Sequence, residues 1–110
     1  MDKPNILLIM ADQLPAATLG CYGHRVVRTP TIDELAERRV LFEDFYCNSP
    51  LCASSRASMC AGKLVEKIGV FDNGAEFRAQ IPTFLHHLHR AGYETVLNGK
   101  MDFITDSISA

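Results

Sequence analysis

The run Ile6-Leu7-Leu8-Ile9-Met10 constrains this chain more than any other segment. Five consecutive apolar residues between polar neighbours predict a buried strand, of the kind found in a parallel sheet covered on both faces. The run leads directly into Ala11-Asp12-Gln13. Ligands of open α/β sheets bind at the carboxyl ends of strands, so an acid at this point is a candidate ligand. Asp12 suits a hard metal ion, and it equally suits the cap of a loop.

Helical and strand patterns alternate along the rest of the chain. Residues 14–30 hold Pro15, Gly20, Gly23 and Pro30 and read as a long loop. Thr31 with Glu34 three residues on predicts a capping box, followed by an apolar face of Ile32, Leu35 and Ala36 and by Arg38 and Arg39 at the helix end. Residues 40–46 predict a second strand. Ser54 and Ser55 can cap a helix that passes Ala57 and Met59 and stops at Gly62. Residues 63–80 read as irregular. Pro82 sits at a plausible first helical position before the stripe Ile81, Leu85, Leu88, Ala91, and Gly92 ends that helix. Residues 93–97 predict a third strand before an Asn98-Gly99 turn. This order predicts an α/β layered fold with a mostly parallel sheet. Residues 98–110 after the third strand carry too little pattern to complete such a sheet, and Ile104 to Ala110 have no clear helical or strand period. Residues 1–110 are therefore expected to be the N-terminal part of a larger domain.

Composition removes several function classes. Eleven basic against thirteen acidic residues leave a net charge of −2, which gives no footprint for nucleic acid or an anionic membrane surface. An apolar content of 47% with 22% charged residues argues against disorder. No apolar run has the length of a signal-peptide core or a membrane span, so a cytoplasmic location is expected. Cys21, Cys47, Cys52 and Cys60 form no CxxC pair, and ordinary apolar content argues for reduced thiols.

Ser49-Pro50-Leu51-Cys52-Ala53-Ser54-Ser55-Arg56 is the segment richest in chemistry. A cysteine just before a predicted helix, with an arginine four residues on, favours a thiolate or a bound oxyanion there. The same spacing fits a small buried cysteine in a helix cap. By spacing alone Asn73 reads as a turn residue, Lys100 as a solvated lysine, and His86, His87 and His89 as a solvated face.

Four segments together resemble the N-terminal part of the sulfatases, in the alkaline-phosphatase-like superfamily. Residues 4–13 look like the family's first strand and metal-binding acid, and residues 29–36 like its first helix. Residues 49–62 resemble the Cys-x-Pro-Ser-Arg signature, and Asn98-Gly99-Lys100-Met101 the Gly-Lys-x-His block. Flanking residues look most like choline-sulfatase and phosphonate monoester hydrolase members. The resemblance implies a sulfuric ester hydrolase in which Cys52, oxidised to formylglycine by a maturation enzyme, is the nucleophile. It attacks sulfur, the alcohol leaves, and the sulfated enzyme is then cleared. A divalent cation, by family calcium, would be held by Asp12, by Gln13 where a second acid is common, and by the residue at Cys52. Arg56 would steady the nucleophile, Asn73 would line the anion site, and Lys100 would bind the oxygens of a small-molecule sulfate ester. Two positions depart from the pattern. Ser54 replaces the proline that the maturation enzyme reads, which counts against conversion of Cys52. Asp102 replaces a histidine near the leaving group. The 110 residues alone are expected to be inactive. The alternatives are a phosphonate or phosphate ester hydrolase and a non-catalytic remnant with weak anion binding.

Overall fold

The computed structural model describes residues 3–102; Ile104 to Ala110 lie outside the described residues. It divides into two units, residues 1–45 and residues 46–110.

In the first unit two 3-10 turns, Ala16–Thr18 and Gly20–Tyr22, precede helix α1, Pro30–Arg38. The long loop predicted for residues 14–30 is therefore partly structured. Thr31 is not the N-cap. Thr29 holds that position with Pro30 at N1, because the fixed φ of proline is already helical and its missing N–H is not needed there. Asp33 in the first turn ties the second 3-10 turn to α1. Its Oδ1 accepts from the Cys21 N–H at 2.7 Å and from the Thr29 hydroxyl at 2.9 Å, and that hydroxyl accepts from the Gly20 N–H at 2.9 Å. A side chain at position 20 would collide with the Asp33 carboxylate, so this docking requires glycine. The exposed pair Glu34–Arg38, 3.0 Å apart, adds the usual small i,i+4 support.

In the second unit helix α2, Cys52–Ala61, is followed by the single turn α3, Val65–Ile68, and by α4, Phe84–Arg90. Ala53 and Ala57 lie one turn apart on α2 and pack with Ile68, Val70 and Phe77 as the core, with Ala61, Ala75 and Ile81 against its margin. Small residues at i, i+4 allow the chain after α2 to approach its backbone closely. Buried Ser58 holds that return: its hydroxyl donates to the Lys63 carbonyl at 2.6 Å and accepts from Asn48 Nδ2 at 2.7 Å. Gly62, at φ +62, ends α2 in the left-handed conformation and returns its N–H to Met59. Residues 63–80, expected to be irregular, include α3. Helix α4 begins later than predicted, because Thr83 and His86 form a reciprocal cap and leave Ile81 and Pro82 outside. His86 thereby has a structural task beyond a solvated face.

The three predicted strands differ from expectation. Among the described residues no two of the segments 6–10, 40–46 and 93–97 pair in a ladder. The first is not buried either: Leu7 is 84% and Ile9 81% exposed. A strand takes its geometry from hydrogen bonds to a neighbour, and none of these segments serves as neighbour to another. The parallel sheet is thus not formed within the described residues, whereas the helical expectations hold with shifted ends.

Candidate functional site

Cys52 occupies the first position of α2, a ten-residue helix whose N-cap, Leu51, has no side chain able to cap it. Neither Ser54 nor Ser55 caps, because both lie inside the helix. The cap comes from 20 residues away. Asn73 Oδ1 accepts from the Ala53 N–H at 3.1 Å, satisfying one of the free donors at the helix start. Asn73 is presented by the Asp72-Asn73-Gly74 turn, which closes when the Gly74 N–H donates to Asp72 Oδ1 at 2.8 Å. Asn73→Ala is expected to destabilise the start of α2 by about 1 kcal/mol. Faster hydrogen exchange at the Ala53 amide is the readout; an unchanged rate would show that the contact carries no weight.

Arg56, one turn after Cys52, is 7% exposed. Its Nη1 donates to the Lys100 carbonyl at 2.8 Å, joining residues 44 apart in sequence. Asp102 Oδ2 lies 3.2 Å from Lys100 Nζ and 3.9 Å from Arg56 Nε. That oxygen is ion-paired yet accepts no aligned hydrogen bond from the described residues. Ser54 is fully buried and its hydroxyl has no hydrogen-bond partner among the described residues. A hydroxyl in that state costs about 1–3 kcal/mol, a cost that an alanine or proline at position 54 would not carry. Cys60, on the same helix, is buried; burial raises its thiol above the ordinary value and outweighs the opposing pull of Arg56. It is thereby kept protonated, as a packing residue rather than a nucleophile.

Within the second unit the structure thus gathers Cys52, Arg56, Asn73 and Lys100 onto or against α2 and adds Asp102, whose pairing no spacing rule signals. Asp12 and Gln13 lie in the first unit. Gln13 (φ +49) and Asp102 (φ +55) are the non-glycine residues with positive φ among those described. Each such conformation costs about 1 kcal/mol, and such strain concentrates at functional positions. The Asp12 carboxylate and the Gln13 amide oxygen are hard donors, which fit calcium or magnesium by type. Among the described residues no group of three or more His, Cys, Asp or Glu side chains gathers as a cation site. A cleft of about 750 Å³ in the first unit, lined in part by Cys21, His24, Arg28 and Asp33, holds none of the predicted site residues. No helix among the described residues is long and apolar enough to cross a membrane.

The sulfatase family profile matches residues 4–107. The chain is 47% identical to a choline-sulfatase of Rhizobium meliloti (strain 1021) over 102 residues, which are 93% of this chain and 20% of that protein. It is 42% identical to human arylsulfatase D, covering 89% of this chain and 18% of that one. Its backbone is similar to a solved sulfatase-type structure from Bacteroides thetaiotaomicron VPI-5482, with a TM-score of 0.85 and 33% identity over 93% of this chain and 23% of the other. The chain spans about a fifth of the length of the curated relatives it matches.

Proposed function

Because this chain belongs to the sulfatase family, we propose that it carries the nucleophile and anion-binding part of a sulfate monoester hydrolase. The observation that supports this best is Cys52 at the start of α2 with buried Arg56 one turn on, bonded to the backbone of Lys100. The positive end of the helix dipole favours negative charge beside position 52. Arg56 supplies a planar guanidinium cation beside the nucleophile. Lys100, half exposed, can reach the oxygens of an incoming ester. Asn73 keeps the helix start rigid, so these donors meet the substrate without reorganising.

Asp12 and Gln13 would hold a hard divalent cation, and a formylglycine at position 52 with that cation would supply a hydrated nucleophile and charge neutralisation at the sulfuryl group. Calcium takes six to eight oxygens, more than Asp12, Gln13 and position 52 donate, so further donors belong to the working site. The α/β sheet expected of residues 6–10, 40–46 and 93–97 belongs to the same reading, with strands supplied by further residues. Choline sulfate is the first substrate to try, given the identity to a choline-sulfatase.

The test compares choline sulfate, an aryl sulfate and an aryl phosphonate as substrates of the enzyme carrying these residues, with calcium added. Faster release from the sulfates is expected. Faster turnover of the phosphonate would replace this reading by a phosphonate ester hydrolase. The 110 residues alone are expected to turn over no aryl sulfate, and metal-dependent turnover by them would overturn the need for further donors.

A further inference from the structure

We propose that His24 is an acid-opened clasp in the first unit: its neutral ring holds the turn at residues 24–27 closed, and protonation of the ring releases that turn and reshapes the cleft beside it. The inference concerns the first unit alone and stands independently of the sulfate-ester reading.

The ring works as a hydrogen-bond acceptor. Its Nδ1 takes the Val27 N–H at 2.9 Å and the Val26 N–H at 3.2 Å. With two N–H groups donating into it, Nδ1 carries no proton, so the proton of the neutral ring sits on Nε2. Asparagine and aspartate close turns in the same way with a side-chain oxygen. Histidine differs from them in one respect: once the ring is protonated both its nitrogens are donors, and the acceptor is gone. The main chain at the entry to the turn is held separately, because the His24 N–H donates to the Leu19 carbonyl at 3.2 Å. Val26 and Val27 are exposed, so their freed N–H groups pass to water and the opening stays local.

His24 shares the cleft of the first unit with Cys21, Arg25, Arg28, Asp33 and Glu37. Asp33 and Glu37 favour a protonated ring, and Arg25 and Arg28 oppose it. Asp33 is committed elsewhere through Oδ1, which accepts from the Cys21 N–H and the Thr29 hydroxyl. Of the other titratable groups on the neighbouring elements, Tyr22 donates its hydroxyl to the Phe42 carbonyl, and Glu34 pairs with Arg38. The direct contacts of Nδ1 are therefore the two main-chain N–H groups. Arg25 and Arg28 flank Val26 and Val27, so opening the turn displaces two cations of the cleft wall.

The test is nuclear magnetic resonance of the valine-labelled protein from about pH 8 to about pH 5, the range in which histidine changes its charge. The readout is the temperature dependence of each amide-proton shift, shallow for an internally bonded amide and steep for one bonded to water. A charge arriving nearby moves the shift itself and leaves this dependence alone. In the wild type Val26 and Val27 are expected to pass from shallow to steep on acidification. In His24→Asn, which keeps an acceptor at the position of Nδ1 and does not titrate, both are expected to stay shallow throughout. Val26 and Val27 that stay shallow in the wild type down to about pH 5 would overturn the clasp, a result that needs no variant. The same transition in His24→Asn would overturn it as well, since the opening would then come from another group.

Discussion

Replacing Arg56 by methionine is expected to destabilise the second unit by about 3 kcal/mol, at the lower end of the range for breaking a buried ion pair. Methionine fills much of the space of the arginine stem, so the loss reports on the guanidinium rather than on a cavity. Two groups are stranded by the change. The Lys100 carbonyl loses the donor 2.8 Å away, and Asp102 Oδ2 loses one of its two cations and keeps the half-exposed Lys100 ammonium among the described residues. The lower end of the range is chosen because the Asp102 side chain is itself 26% exposed, so water can relieve part of the stranded charge. Hydrogen exchange is the suitable measurement, because it reads residues 46–102 separately from the first unit. Amides of residues 98–101 should exchange fastest, since the 44-residue tether is cut. Adding Asp102→Asn to Arg56→Met should recover part of the loss, as groups that share an ion pair do not add. A loss below about 1 kcal/mol would show a solvated contact instead.

The second large effect is on turnover. In the enzyme that carries these residues, Cys52→Ala should lower kcat for a sulfate ester by about 10⁴-fold or more, the scale of losing a covalent nucleophile. Stability should hardly change. Cys52 is the first residue of α2, only partly buried, and alanine is a better helix former than cysteine. That split separates the two interpretations that sequence spacing leaves open, since a small packing cysteine would show the opposite result. Mass analysis of the peptide containing Cys52 gives an independent reading, because conversion to formylglycine removes the sulfur. An intact thiol in an active enzyme, with turnover untouched by Cys52→Ala, would remove Cys52 from the mechanism. Ser54 sharpens the question. It occupies a fully buried position with an unsatisfied hydroxyl, where the family signature has a residue without one.

Local patterns announce the helices well. Gly62 as the stop of α2 is legible because only a residue free of Cβ strain ends a helix so easily at φ +62. Helix starts are less legible. Residues 29–31 offer two threonines and a proline, and the proline's locked φ decides the register of α1. At α2 two serines look like caps, yet the cap is Asn73, since hydrogen bonding between residues 20 apart leaves no trace in spacing. The strands are less legible for a related reason. A run such as Ile6 to Met10 states that a segment is suited to burial in a sheet, but a ladder is a property of two segments, and among the described residues its partner is absent.

The site divides along the same line. Family membership, the position of Cys52 at a helix start, and Arg56 one turn later are readable from the order of residues, because a helix converts a separation of four into one face. What only folding decides is the company those residues keep. The chain's return after α4 brings the Lys100 carbonyl to Arg56 and turns Asp102 back, through a left-handed residue, onto both cations. Spacing along a chain determines neighbours within one turn of helix. Contact between residues 44 apart depends on packing.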